Sequence, residues 1–272
     1  MMKLFDMLIE GYKKIIKIIW VALIPIGMDL VSYLLYINTF NLPYNGIDKS
    51  FVLKLGIIQA PPTAKFILED FPTVLYSYNS DYGMTGIVSE LTVFNCFLLL
   101  TIVLIHAFLT SGYMGCLERA GIERVTPISF FSLGNKNWFK YFILNLVYCI
   151  SFLLCFIGII PKGLLLFLFF IIFMEYAIVV DDLPINESFS KALRIFVNNI
   201  ILVIRMGICY GLVFSLASII LLPLSRSGTI GIITVISAVN ILGIGVNKAV
   251  LEVYRKISFE DSNGNDDPII SG

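Results

Sequence analysis

The sequence predicts an all-α membrane protein, a polytopic transmembrane bundle of six helices with two amphipathic helices along the cytoplasmic interface. The first observation is composition: 58% of the 272 residues are hydrophobic and only 14% are charged, with a mean hydropathy of +0.91. Ordinary soluble domains have about 45–50% apolar and about 25% charged residues. The other two observations are six apolar runs of spanning length and two short amphipathic segments between them.

The six apolar runs are predicted membrane spans. A bilayer core about 30 Å thick requires about 20 mainly apolar residues in a helix. Only Pro161 and Lys162 separate the third run from the fourth, and residues 225–229 separate the fifth from the sixth, so these pairs are predicted antiparallel neighbours. The runs lie at residues 15–37, 91–114, 141–160, 163–180, 199–224 and 230–250 of a single membrane domain, residues 1–256.

The distribution of lysine and arginine predicts the orientation, because cytoplasmic loops carry an excess of these residues. With the N-terminus in the cytoplasm, 13 of the 19 fall on the cytoplasmic side, 5 fall outside, and Arg205 lies within the fifth span. No small-residue cleavage site follows the first run, so we interpret it as a retained span and not as a signal peptide. Six spans then place both termini in the cytoplasm at the cell membrane. Frequent lysine and isoleucine with scarce alanine are typical of an AT-rich bacterial genome.

Residues 38–90 form the one long exterior loop of this topology, and residues 257–272 form a polar, acidic tail. The loop combines turn formers such as Pro61 and Pro62 with apolar stretches, so we expect a small folded cap or a segment in the headgroup region. A re-entrant path into the membrane is disfavoured, because exposed backbone groups are costly in lipid. The tail is predicted to be disordered.

The stretch VVDDLPINESFSKALRIFVNN, residues 179–199, predicts the first amphipathic helix. Apolar residues recur at helical spacing from Ile185 onward, and polar residues occupy the opposite face. Pro184 suits the first helical turn, and Asp181 and Asp182 complement the positive end of the helix dipole. The segment is too short and too polar to span, so we expect it to lie along the cytoplasmic interface.

Residues 123–145 repeat this pattern, with Thr126 as a predicted N-cap and Pro127 at the first helical position. Both amphipathic helices begin with Pro-Ile, follow an even-numbered span and lead into an odd-numbered one. The chain therefore looks like it contains two copies of one unit, a span followed by an amphipathic helix and another span. Spans two and three belong to the first copy, and spans four and five belong to the second. Such repeats are common in membrane proteins that enclose a site between two halves. The simpler interpretation is that the two helices only brace the bundle.

Three stretches carry a resemblance to a known family. GYMGCLERAG at residues 112–121, the Pro-Ile helix after it, and EYAIVVDDLPINESFSKALRIFVNN at residues 175–199 resemble signatures of a bacterial membrane family. That family includes the membrane domain joined to some glycerophosphodiester phosphodiesterases and many uncharacterised free-standing six-helix proteins. The resemblance covers residues 91–256 and implies the fold and a membrane location. It implies no activity or catalytic residue, since this sequence carries no phosphodiesterase domain and its first exterior loop is long.

Four ionisable residues inside the predicted spans are candidate functional residues: Asp29, His106, Glu175 and Arg205. Charged groups are costly in lipid, so each is a functional hypothesis by default. Glu175 and Arg205 each lie roughly 9 Å from the cytoplasmic end of their spans, so we expect them to pair and pin spans four and five together. Arg205 extending alone to the interface is the alternative. A lone histidine is expected to be a hydrogen-bonded core residue, with a proton-relay or metal-ligand role as the alternative for His106.

Gly207, Gly211 and Ser215 place small residues at four-residue intervals on the fifth span. Such a stripe lets two backbones approach closely. Packing within the chain is the expected use, and homodimerisation is the alternative.

The sequence contains no recognisable catalytic, metal-binding or cofactor-binding motif. It lacks a Gly-rich phosphate loop, a G-x-S-x-G elbow and an H-E-x-x-H pair, and it has one histidine. None of the five cysteines forms a C-x-x-C pair, and four lie in apolar runs, so we interpret them as small hydrophobes. We therefore expect no enzyme, no cofactor and no metal. A net charge of zero gives no reason to expect nucleic acid.

Three functional classes follow. The leading hypothesis is a non-enzymatic multi-pass membrane protein that accommodates a hydrophobic ligand or a membrane partner. That partner would be a membrane lipid, a peptide, another membrane protein or a second copy of the chain. The alternative is a small permease or transporter component, motivated by the four ionisable residues. A membrane enzyme would require an active site of an uncommon kind.

Overall fold

The computed structural model describes residues 4–40, 48–72, 77–79, 83–85, 92–156 and 169–264, and within them the architecture is helical. The one sheet in these residues is a hairpin, β1 (Ser77–Asn79) and β2 (Gly83–Thr85), paired antiparallel within the predicted exterior loop. The helices are α1 (Leu4–Ile15), α2 (Leu23–Phe40), α3 (Val93–Arg119), α4 (Pro127–Phe156), α5 (Phe169–Val180), α6 (Ile185–Asn198), α7 (Ile200–Ser225) and α8 (Gly228–Gly264), with 3₁₀ helices at Ile16–Ala22 and Ala64–Phe66.

Four helical stretches are long and apolar enough to cross a membrane: Leu4–Asn38, Val93–Arg119, Ile200–Ser225 and Gly228–Glu260. They correspond to the first, second, fifth and sixth predicted spans, so the structure confirms a helical chain with several helices compatible with membrane spans. The third and fourth predicted spans include residues 157–168, which lie outside the described residues. The number of six spans therefore stays a prediction.

The N-terminal apolar run is bent. The 3₁₀ helix Ile16–Ala22 joins α1 to α2, and within it Ile18 has non-helical dihedral angles (φ −125°, ψ 28°). α1 packs against α8: the Tyr12 hydroxyl donates to the carbonyl oxygen of Leu242 (2.7 Å). A Cβ added at Gly11 would lie 3.0 Å from the carbonyl oxygen of Gly245, so glycine allows this close contact. The predicted span 15–37 therefore begins in a bend, and a separate helix precedes it.

The two predicted amphipathic helices take different forms. α6 is a separate helix between α5 and α7, as predicted, and Asn199 (φ −122°, ψ 26°) interrupts the path into α7. The segment predicted at residues 123–145 is not separate, because α4 runs without a break into the region of the third span. Thr126 caps α4: its Oγ1 accepts from the Ser129 N–H (3.3 Å), and its own N–H donates to the Ser129 hydroxyl (2.8 Å). The two halves of the predicted repeat therefore differ at this junction.

Residues 48–72, here called the docked segment, pack among the helices. Ile58, Ala64, Ile67 and Leu68 are almost completely buried and belong to the same apolar core as the helix residues. This part of the predicted exterior loop is therefore folded against the helices, and its position relative to the membrane stays a prediction. The segment passes beside the middle of α7, and its backbone polar groups find partners there, as described below.

α8 continues to Gly264, past the predicted end of the membrane domain at residue 256. The predicted disordered tail is therefore helical over residues 257–264, and residues 265–272 lie outside the described part of the chain. Burial explains the extension: Ile257 and Ser258 are both buried, and the Ser258 hydroxyl donates to the carboxylate of Asp181 (3.1 Å).

Candidate functional site

Asp29, on α2, anchors the docked segment. Its side chain is only 6% exposed. Oδ1 accepts from the Thr63 hydroxyl (2.8 Å), and Oδ2 accepts from the Ala64 N–H (2.7 Å) and from Nδ2 of Asn240 (2.7 Å). Hydrogen bonds to a charged acceptor are among the stronger ones in proteins. Three donors therefore hold this carboxylate and join α2, the docked segment and α8.

The small-residue stripe on α7 receives the extended part of the docked segment. This part lies beside the central turns of a helix that is long and apolar enough to span a membrane. Serine hydroxyls and one backbone carbonyl of α7 accept its N–H groups. The three bonds run from Val52 to the Ser218 hydroxyl (3.1 Å), from Lys54 to the Ser215 hydroxyl (2.8 Å) and from Gly56 to the Gly207 carbonyl (3.0 Å).

Gly211 sets how closely the two backbones approach. A Cβ added at Gly211 would lie 2.4 Å from the carbonyl oxygen of Lys54, so any larger residue would displace the segment. The stripe thus packs within the chain, against an extended segment and not against a helix. Non-helical backbone is tolerated beside membrane-spanning helices where protein groups form hydrogen bonds with its N–H and C=O groups. These hydrogen bonds satisfy the backbone of the segment where it passes along α7.

Glu175, in the middle of α5, is a buried acid with an unpaired oxygen. Its side chain is 1% exposed, and Oε2 has no hydrogen-bond partner among the described residues. The backbone carbonyl of Glu175 accepts from the Tyr141 hydroxyl of α4 (2.8 Å). An ionised carboxylate buried without a counter-charge is costly. Burial without a hydrogen-bond partner for Oε2 therefore disfavours the ionised form of this group.

Buried tyrosines surround this carboxyl group. Tyr113, Tyr141 and Tyr176 are fully buried, and each interacts electrostatically with Glu175. The Tyr113 hydroxyl accepts from Nδ2 of Asn247 on α8 (3.1 Å). We call these five residues the Glu175 cluster. Unpaired polar atoms in or beside it, within the described chain, are the hydroxyls of Tyr176 and Tyr210 and Oδ1 of Asn247.

The predicted ion pair between Glu175 and Arg205 is not formed. Arg205 is exposed on α7, whereas Glu175 faces the core and its Oε2 is unpaired. The two residues were matched by depth along their helices, and depth does not fix the direction in which a side chain points. Arg205 therefore does not neutralise the buried acid.

His106 is half-buried on α3 and hydrogen-bonded. Its Nδ1 lies 3.2 Å from Nδ2 of Asn145 on α4 and 3.3 Å from the hydroxyl of Thr110. An amide nitrogen only donates, so Nδ1 is the acceptor in the contact with Asn145. His106 is therefore hydrogen-bonded, as expected, but it is half-buried and not a core residue.

Lys248 is a buried cation that sequence reasoning placed only among the cytoplasmic charges. It is 0% exposed; its Nζ donates to the carbonyl of Leu117 in the last turn of α3 (2.7 Å) and pairs with Glu252 (2.9 Å). Glu252 also contacts Lys14 of α1 (3.2 Å). This network joins α1, α3 and α8. The i,i+4 spacing of Lys248 and Glu252 was the available signal, but a pattern on one helix does not reveal the contact with α3.

The two aspartates after α5 bind other helices instead of only complementing the dipole of α6. Asp181 pairs with Lys191 of α6 (2.9 Å) and accepts from the Tyr254 hydroxyl of α8. Asp182 pairs with Lys136 (2.9 Å) and Lys140 (3.2 Å) of α4. Hydrogen bonding from Lys136, with a further contribution from Lys140, lowers the pKa of the Asp182 carboxyl. The pair therefore clamps the amphipathic helix to its neighbours.

Two surface pockets lie at the edges of α3, and each contains one of the chain's 2 tryptophans. The interface pocket, about 480 Å³, is lined by Lys17, Ile18, Trp20 and residues 121–127 of the turn between α3 and α4. The lateral pocket, about 310 Å³, lies on the α3–α4 face. Its lining residues are Leu104, Ile105, Phe108, Asn135 and Trp138.

Within the described residues, no group of three or more histidine, cysteine or acidic residues could hold a metal ion. The chain has no significant match among protein-family models, curated proteins or solved structures.

Proposed function

We propose that this chain is a non-enzymatic multi-pass membrane protein that accommodates a hydrophobic ligand, a membrane lipid, against its helices. The lateral pocket carries the proposal. Three of its lining residues are aliphatic or phenyl side chains, and Leu104 and Ile105 are 43% and 52% exposed on the side of a spanning-length helix. Ligand pockets are mostly apolar with a few polar groups, and here Asn135 and the Trp138 indole are the polar ones. A pocket of this size takes part of an acyl chain.

Trp138 makes the proposal measurable. In a Trp20→Phe variant, Trp138 is the sole tryptophan, and phosphatidylcholine with brominated acyl chains quenches its fluorescence on contact. We expect quenching to reach half its maximum at a lower mole fraction of brominated lipid than for a control tryptophan at Leu216, an exposed position on α7, in a chain lacking both natural tryptophans. Equal quenching at the two positions would mean that only general surrounding lipid is present.

A membrane protein partner is the other occupant within this hypothesis. Cross-linking and co-purification in mild detergent, followed by mass spectrometry of bound proteins and lipids, separates the two cases. A stoichiometric protein, including a second copy of the chain, would replace the lipid in the proposal. Retained lipid without a protein partner supports it.

The second candidate function is a small permease or transporter component, and the Glu175 cluster favours it. A buried acid with an unpaired oxygen among tyrosine hydroxyls can take up and release a proton or a small cation. In proteoliposomes with an internal pH dye, Glu175→Gln should abolish proton movement across the membrane, while the protein still inserts into the vesicles. Glu187→Gln, at an exposed glutamate of α6, is the matched control. Equal rates for both variants and the parent chain would exclude this candidate for Glu175.

The topology belongs to the same proposal: six spans in the cell membrane, with both termini in the cytoplasm. The excess of lysine and arginine in the predicted cytoplasmic segments supports it. Single cysteines introduced at Lys49 and at Lys256 test it in intact cells with a membrane-impermeant maleimide. We expect labelling at residue 49 and none at residue 256 until the membrane is opened. The reverse result would invert the topology.

A further inference from the structure

We propose that the interface pocket binds the headgroup of an anionic phospholipid. The inference rests on the proposed lipid-binding function and names the lipid class. The pocket, about 480 Å³, lies between the bend after α1 and the turn that follows α3. α3 is long and apolar enough to span and ends at Arg119, just before the pocket residues 121–127. The pocket therefore lies at this end of a spanning-length helix, where headgroups are expected.

The charge of the pocket selects an anion. Lys17 and Arg124 both line it, both are exposed, and neither forms an ion pair with a carboxylate in the described part of the chain. The one acidic residue of the lining, Glu123, is already neutralised by Arg119 (2.9 Å). The lining therefore carries two uncompensated positive charges, and basic pockets beside spanning helices bind anionic headgroups.

Trp20 and the backbone shape indicate a lipid instead of a free anion. Tryptophan is enriched at the membrane interface because its ring is apolar and its N–H is polar. Trp20 and Ile18 supply apolar lining from the same 3₁₀ helix as Lys17, and the turn after α3 supplies Arg124. Gly121 has φ +85°, and a Cβ added there would lie 3.0 Å from the side chain of Lys14. That residue therefore keeps the turn in a left-handed conformation against α1.

Trp20 also reports binding directly. In a Trp138→Phe variant reconstituted in vesicles, lipids brominated near the headgroup end of the acyl chains quench Trp20 alone. We expect brominated phosphatidylglycerol to quench at a mole fraction at least five-fold lower than brominated phosphatidylcholine. Lys17→Gln and Arg124→Gln should each reduce this preference about five-fold, since one cation near an anionic surface contributes about that factor. Lys13→Gln, an exposed lysine of α1 outside the pocket lining, should leave most of it.

Three outcomes would overturn the inference. Equal quenching by the two lipids would show no headgroup selection. An equal loss from Lys13→Gln would show that general surface charge, and not the pocket, attracts the lipid. Loss of the preference in millimolar inorganic phosphate would identify a site for soluble anions. Quenching of Trp138 in the lateral pocket is measured separately. If Trp20 shows no headgroup preference but Trp138 is still quenched, the headgroup site is excluded and the proposed function stands. If neither tryptophan gives its expected signal, both the headgroup site and the proposed function are excluded.

Discussion

Replacing Asp29 with alanine should release the docked segment from the bundle. The change removes the acceptor of three hydrogen bonds, from the Thr63 hydroxyl, the Ala64 N–H and the Asn240 amide. A buried donor left unsatisfied costs about 1–3 kcal/mol. The Asn240 amide keeps a second acceptor, the carbonyl of Ile236 (2.9 Å), so it loses less. We expect a total loss of about 3–5 kcal/mol.

Asp29→Asn separates the hydrogen bonds from the charge. Asparagine keeps one oxygen for the Ala64 N–H, and its NH₂ group can donate to the Thr63 hydroxyl, which also accepts. We expect this variant to lose only about 1–2 kcal/mol, because the bonds become neutral but are not removed. If Asp29 anchors the docked segment, stability should therefore increase from the alanine variant to the asparagine variant to the parent chain.

The assay is thermal unfolding of the purified chain in detergent, followed by helix content, with trypsin cleavage at Lys54 and Lys65 as a local readout. A loss of about 3–5 kcal/mol corresponds to a fall in Tm of roughly 6–20 °C for a chain of this size. Asp48→Ala is the control, since Asp48 lies in the same segment but is fully exposed. The reasoning fails if Asp29→Ala melts like the parent with both lysines still protected. It also fails if asparagine destabilises as much as alanine.

Three further predictions use the same melts. Gly211→Ala should lower Tm by several degrees, because overpacking costs about 1–3 kcal/mol; Gly27→Ala, where an added Cβ meets nothing within 4 Å, is its control. Lys248→Met should cost about 1–3 kcal/mol, because the Leu117 carbonyl loses its buried donor while Glu252, which is 15% exposed, keeps Lys14; Lys256→Met, at an exposed lysine of the same helix, should cost little. The lowered pKa of Asp182 means that its pairing stabilises the fold above the ordinary aspartate pKa, and this contribution disappears as pH falls through the lowered value. Asp182→Asn should therefore make the fall in Tm at acid pH slightly smaller, because the pairing of this half-exposed carboxyl contributes less than about 1 kcal/mol to stability.

Each of these predictions can fail on its own. A Gly211→Ala variant as stable as Gly27→Ala would mean that the docked segment shifts away from α7 without cost. Equal losses for the two lysine variants would remove the special role of the buried cation. A Tm that falls equally with acid in the parent and in Asp182→Asn would locate the acid-sensitive groups elsewhere.

Local patterns in the sequence predicted the parts of the fold that depend on one helix at a time. Hydropathy over about 20 residues identified four stretches that the structure shows as spanning-length helices, and helical periodicity identified α6. The N-cap signal at Thr126 was also sufficient to place the start of α4. It could not show that α4 continues unbroken, because amphipathic and apolar stretches of one helix carry no boundary between them.

The parts that could not be predicted depend on contacts far apart in sequence. Asp29 bonds to residues 34, 35 and 211 positions away, so no window of sequence contains its partners. Glu175 and Arg205 have matching depth but point in different directions, which requires knowledge of how the helices are rotated. The interface pocket likewise joins the 3₁₀ bend after α1 to the turn after α3. In the sequence, the first belongs to a predicted span and the second to a predicted cytoplasmic segment.

The docked segment has a consequence for how the chain is made. Val52 and its acceptor Ser218 are 166 residues apart. At a synthesis rate of about 5–20 residues per second, α7 emerges roughly 8–33 s after the segment that it will hold. During that interval the segment lacks the α7 groups that accept hydrogen bonds from its backbone N–H groups. Docking of the segment is therefore complete only when the last two helices, α7 and α8, have been made. A ribosome that stops before them releases a chain whose docked segment has no partner helix.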